Sequence, residues 1–105
     1  MAEESDLERD CRADVLHAGG LLWKWVSPGR RGVPDDILIL PGCPVVFVEF
    51  KAPGGKLRPE QQSCIDALES RGKRVWVISD RSIFRGALAN YQKQCHAIAT
   101  AAKGS

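Results

Sequence analysis

The sequence predicts an α/β fold, a mixed β-sheet flanked by helices with elements in the order α-β-β-β-α-β-α. Three observations lead there. Apolar residues recur at helical spacing near the start, in the middle and at the end of the chain. Between them lie short runs rich in Leu, Val, Ile and Trp, of strand length. Pro41-Gly42-Cys43-Pro44 joins two of these runs as a turn, so they form an antiparallel hairpin.

The first helix covers residues 4–18. Leu7, Cys11, Val15 and Ala18 lie on one stripe, and Gly19-Gly20 stops it. Residues 21–26 form the first strand, and residues 27–34 (Ser-Pro-Gly-Arg-Arg-Gly-Val-Pro) are loop by composition. Residues 36–40 and 45–51 are the hairpin strands, and residues 52–56 are a second loop. Pro59 opens a helix that runs to Ser70, with Cys64, Ile65 and Leu68 as its apolar stripe and Arg71-Gly72 as its stop. Residues 74–79 (Arg-Val-Trp-Val-Ile-Ser) read as a fourth strand, central and well covered. Residues 81–102 are helical, with Ile83, Leu88, Tyr91 and Ile98 as candidate buried positions. No repeat or linker divides the chain, so residues 1–105 form one domain, with a core over about 4–80 and a C-terminal helix over about 81–102.

Composition narrows the function classes. The apolar content of 44% supports a real core. Fifteen basic against 13 acidic residues give a net charge of +2, too weak to indicate a nucleic-acid partner without local clustering. The apolar runs are too short for a membrane span, and the acidic start Met1-Ala2-Glu3-Glu4 lacks the order of a signal peptide. A cytoplasmic or nucleoid-associated protein is expected. Cys11, Cys43, Cys64 and Cys95 show no zinc spacing and read as free thiols of a reduced compartment.

The chemistry concentrates in Gly32-Val33-Pro34-Asp35 and Val48-Glu49-Phe50-Lys51. Strand alternation puts Glu49 and Lys51 on one face, about 7 Å apart. Folding the hairpin about Gly42 and Cys43 sets Asp35 and Asp36 opposite Glu49 and Phe50. Two carboxylates at one point repel each other unless a cation sits between them. Oxygen ligands suit a hard ion, Mg²⁺ or Mn²⁺. Lys51 is placed to position or deprotonate a water and to offset phosphate charge. The bland alternative is a surface ion pair of Glu49 with Lys51. Asp36 faces away from Asp35 by alternation.

Gln61 continues the buried stripe of its helix, so its amide needs partners. It either reaches back to the metal site or caps backbone groups. Glu8 shares a face with Glu4 and borders the apolar stripe; it points to the sheet edge or lies on a solvated acidic face. The loop of Ser27, Arg30 and Arg31, with Lys24, Lys56 and Arg58 on neighbouring segments, makes a basic rim for a phosphate backbone or serves solubility alone. Trp23, Trp25 and Trp76 on strands serve core packing rather than base stacking. Gly54-Gly55-Lys56-Leu57 lacks the spacing and the Ser/Thr of a phosphate loop, so no nucleotide cofactor is expected. His17 and His96 have no triad partners and face solvent.

Glu8, Gly-Val-Pro-Asp35, Glu49-x-Lys51 and Leu57-x-Pro-Glu-Gln61 together resemble the virus-type replication–repair nuclease (VRR-NUC) domain, a branch of the PD-(D/E)XK nuclease superfamily. The resemblance spans residues 4–80 and includes the specific phrases Ser-Pro-Gly-Arg-Arg-Gly-Val-Pro-Asp and Glu-Phe-Lys-Ala-Pro-Gly-Gly-Lys-Leu. It implies a Mg²⁺- or Mn²⁺-dependent DNA endonuclease. It implies further that Asp35, Glu49 and the Phe50 carbonyl hold metal, that Glu8 completes the shell directly or through water, and that Gln61 orients Lys51 or a phosphate. The family carries its first-helix Glu or Gln at either of two positions one turn apart, so Glu4 is the alternative to Glu8. Stand-alone members resemble Holliday-junction resolvases and act as homodimers on branched or flap DNA, which suits a twofold pair of sites. The competing readings are a non-catalytic DNA-binding or dimerisation module on the same fold, and a nuclease acting on RNA. The last helix, with Tyr91, Cys95 and Ile98, is either a dimer surface or core.

Overall fold

In the computed structural model, which describes residues 4–104, the elements follow the predicted order: α1 (Asp6–His17), β1 (Leu21–Lys24), β2 (Asp36–Ile39), β3 (Val46–Phe50), α2 (Pro59–Glu69), β4 (Arg74–Ile78) and α3 (Arg81–Gly104). Helix α1 begins two residues later than its pattern suggests because Ser5 is its cap: the Ser5 hydroxyl accepts the Glu8 amide at 3.1 Å. The sheet has spatial order β1-β2-β3-β4. β1–β2 and β2–β3 pair antiparallel, and β3–β4 pair parallel across the α2 crossover.

Register divides the sheet into two faces. Leu22, Leu38, Val46 and Val48 point to one side and pack on Cys11 and Val15 of α1 and on Phe84, Leu88 and Tyr91 of α3. Trp76 of β4 lies on this side, with its ring centroid 6.1 Å from Phe84 and 5.6 Å from Tyr91. Trp23, Ile37, Phe47 and Glu49 point to the other side, where α2 packs near β4 and leaves β1 and β2 open. Asp14 of α1 takes both Arg81, at 2.9 and 3.0 Å, and Arg85, at 3.1 Å, which locks α1 to α3. The Arg81 guanidinium holds the Asp14 carboxyl below its ordinary range.

Four expectations are corrected. β4 is an edge strand, not a central one. Its run is apolar because α2 and α3 both pack on it, which gives an edge the composition of a centre. The buried stripe of α3 is Phe84, Leu88, Tyr91 and Cys95, whereas Ile83 and Ile98 are exposed, about 100° off that stripe. This makes Tyr91 and Cys95 core. Trp23 is 59% exposed, since nothing covers its end of the sheet. Cys43 and Cys95 form a disulfide with a Cα–Cα distance of 5.4 Å, while Cys11 and Cys64 are free. The disulfide pins the β2–β3 turn to α3, and next to it the Tyr91 hydroxyl donates to the Pro44 carbonyl at 2.9 Å. Burial pushes the Cys11 thiol up to about 12, which makes it inert.

Peptide mapping of protein purified without reductant is expected to find Cys43 joined to Cys95, with Cys11 and Cys64 as thiols. The bridge spans 52 residues, so its reduction should lower the unfolding free energy by about 2–4 kcal/mol, read from urea midpoints.

Candidate active site

The site sits where the hairpin opens. Asp35 is the last loop residue before β2, and the loop is seated by Gly32, whose φ of +85° favours glycine. A Cβ at Gly32 would collide with the main chain of Glu60 and Gln61, so only glycine lets the loop lie against the start of α2. Asp36 pairs with Val48, so Asp35 comes opposite Glu49. The Asp35 carboxylate accepts the Phe50 amide through Oδ2 at 2.8 Å, and its carbonyl accepts the Trp25 amide at 2.9 Å. Asp35 thereby holds both neighbouring strands.

Glu49 is 2% exposed. Gln61 Nε2 donates to Glu49 Oε1 at 2.5 Å, while Gln61 Oε1 accepts the Arg58 amide at 2.8 Å. The single amide therefore caps α2 and reaches the hairpin at once, which joins the two roles considered for it. Glu49 Oε2 is buried with no hydrogen-bond partner among the described residues. Desolvation, and next to it the charge of Asp35, push Glu49 up to about 7. Burial also raises Asp35, against the Phe50 amide that favours its anion.

Glu8 is buried, and its two carboxylate oxygens accept Lys24 Nζ at 3.1 and 3.0 Å. Its charge raises Asp35, Asp36 and Glu49. Glu4 instead pairs with Arg12. Asp36 does point away from Glu49, in register with Val48, but into the α1 side of the sheet and not to water; it is fully buried. Desolvation and then Glu8 raise its pKa, and Arg12 Nη2 lies 3.4 Å from its Oδ1. Arg12 was not singled out by the sequence; its position one turn after Glu8 is the signal that could have found it.

The ammonium of Lys51 donates to the Gly55 carbonyl at 2.7 Å, not to either carboxylate. Lys24 is committed to Glu8 rather than free on the rim. Arg30 Nε lies 3.2 Å from Cys64 Sγ, which holds the loop to α2. Arg31, Lys56 and Arg58 are exposed, and Ser27 is half-buried. Arg31 and Arg58 line a shallow cavity of about 400 Å³ with Gly32 and Glu60, and the charge of Arg58 lowers both Asp35 and Glu49.

These groups fit a hard divalent cation. Asp35 and Glu49 converge, Glu49 Oε2 lacks a hydrogen-bond partner among the described residues, and the donors are oxygens. Among the described residues no group of three or more His, Cys, Asp or Glu is gathered to hold a metal ion, so the protein would hold it through few side chains.

Both the sequence and the fold have known relatives. The VRR-NUC domain model matches residues 5–82, and the chain belongs to that family. The chain is 39% identical over 83 residues to a protein named "Putative nuclease p44" of Acyrthosiphon pisum secondary endosymbiont phage 1, covering 79% of this chain and 89% of that one. A solved VRR-NUC domain superposes with a TM-score of 0.75 at 28% identity, covering 81% of this chain and 92% of the other. The predicted mixed α/β architecture is therefore that of the family. Among the described residues, no helix is long and apolar enough to cross a membrane.

A carboxyl whose folded pKa lies above its unfolded value ionises more readily in the unfolded chain. Glu49 therefore costs stability as pH rises from 4.5 towards about 7. Urea midpoints in chelator should fall between about pH 5 and about pH 7.5, less steeply in Glu49→Gln, and Mg²⁺ should restore the wild type at the higher pH.

Proposed function

We propose that the protein is a Mg²⁺- or Mn²⁺-dependent endonuclease that hydrolyses phosphodiester bonds of branched DNA such as Holliday junctions or flaps. The observation that carries this reading is the buried Glu49 Oε2, which has no hydrogen-bond partner among the described residues, on a carboxylate that the charge of Asp35 acts on. Membership of a nuclease family supports the reaction class. Asp35 and Glu49 would hold the ion, with the Phe50 carbonyl, and with Glu8 directly or through water. When bound, the ion supplies positive charge to the phosphate and acidity to the attacking water.

The remaining work falls to the chain. Gln61 fixes the rotamer of Glu49 through its 2.5 Å bond. The Asp35–Phe50 bond fixes the other carboxylate. Lys51 would leave the Gly55 carbonyl, turning its flexible stem towards the phosphate to meet its charge and hold the water. Arg31, Arg58 and Lys56 would take flanking phosphates, while Arg30 and Ser27 shape the loop beside them. In a homodimer, a second copy would seat on the open sheet face at Leu21, Trp23 and Val45, which are 38%, 59% and 41% exposed.

The non-catalytic module remains the second reading, and the engagement of Lys51 with Gly55 is the observation on its side. Cleavage of labelled four-way junction, flap and duplex DNA separates the two. Wild type is expected to cut branched DNA with Mg²⁺ or Mn²⁺, and Asp35→Asn and Lys51→Ala to lose about 100-fold or more. Binding of all three DNAs without cutting would reject the enzyme. Trp23→Glu should lower the mass measured by light scattering if the open face pairs two copies.

A further inference from the structure

Beside the carboxylate pair, but on the other side of β3, lies a cavity of about 540 Å³. It opens where the parallel strands β3 and β4 end, between the starts of α1 and α3. Leu7, Phe50, Ala52 and Pro53 give it apolar walls, and Lys51 and Ser79 lie on its lining. Phe50 is the wall shared with the site. Its amide is held by Asp35, while alternation turns its side chain away from Glu49 and onto the cavity side. A phosphate at Asp35 and Glu49 is thus one residue of main chain away from this space. Lys51, whose ammonium donates to the Gly55 carbonyl at 2.7 Å, lies on the cavity lining.

Apart from Lys51 and the Phe50 carbonyl, no residue on its lining serves the proposed hydrolysis. An apolar cleft with an aromatic residue and a cation at its mouth suits a nucleobase whose backbone phosphate stays with the cation. The charge pattern selects that occupant: of the charged groups on the lining, Asp80 is bonded to Ser82 and Arg81 to Asp14, which leaves Lys51, beside the carboxylate site, to meet a phosphate along apolar walls. We propose that the cavity receives the base of a nucleotide adjoining the cleaved phosphate, unstacked from its neighbours. The proposal rests on the nuclease reading above and specifies its substrate: DNA with an unpaired nucleotide next to the cut. Extruding a base costs least where it is already unpaired, so branch points and flaps supply it more readily than duplex.

The test uses flap DNA with 2-aminopurine placed in turn at each position around the cut. Binding is followed with Ca²⁺ and cutting with Mg²⁺ or Mn²⁺. Wild type is expected to raise 2-aminopurine fluorescence at one position next to the cut. Ala52→Trp, which fills the cavity, should abolish the rise and slow cutting about 10-fold, the scale of one lost base–aromatic stack. An abasic nucleotide at that position should restore cutting by Ala52→Trp. Ser79→Leu, from the opposite wall, serves as a second filling variant, with thermal unfolding as the check on both folds. Wild-type cutting with no fluorescence rise at any flanking position, or equal slowing on abasic DNA, overturns the pocket and leaves the nuclease reading intact. A fluorescence rise without cutting overturns the nuclease reading and keeps the pocket. Loss of both rejects both.

Discussion

The structure turns on one hydrogen bond, from the Phe50 amide to the Asp35 carboxylate at 2.8 Å. It forms at the mouth of the hairpin, where ladder bonds end and a strand would otherwise leave a donor unpaired. It draws Asp35 against Glu49, which is itself buried. Repulsion and desolvation then act on both carboxylates, and among the described residues Glu49 Oε2 has no hydrogen-bond partner to offset that cost. Stability elsewhere has to sustain it. The arginine clamp between α1 and α3 and the dense packing around Phe84 and Leu38 do so at a distance from the site.

Two acidic pairs lie back to back across the sheet. Asp35 and Glu49 face α2 and are short of cations. Glu8 and Asp36 face α1 and are served by Lys24 and Arg12. Adjacent residues on one strand belong to different pairs because a strand alternates its sides. Lys24 and Arg12 offset the second pair, but its charge still reaches the first, since Glu8 raises Asp35 and Glu49. This division leaves Asp35 and Glu49 without the close cationic partners that Lys24 and Arg12 give to Glu8 and Asp36.

Local grammar made the fold and the carboxylate pair readable. The β period, the Pro-Gly-Cys-Pro turn and the stripe of α2 fix where Asp35, Glu49 and Gln61 lie, and all three depend on neighbours close in sequence. What could not be read depends on distant partners. Cys43 meets Cys95 only after α3 docks. The β4 run has the same composition whether it is flanked by strands or by helices. Trp23 looks like core until the extent of α2 is known, and α2 stops short of it. Lys24 reads as a free cation because its partner, Glu8, lies 16 residues away on another element.

The tie between the β2–β3 turn and α3 has a mechanical meaning. Cys43–Cys95 and Tyr91–Pro44 anchor the closed end of the hairpin, while Gln61 and the Asp35–Phe50 bond clasp its open end. A ribbon clamped at both ends cannot slip by one residue, and such a slip would turn Glu49 to the opposite side. The far anchor therefore acts as a ratchet pawl, keeping the alignment of the carboxylate end through a link placed at the opposite end of the hairpin.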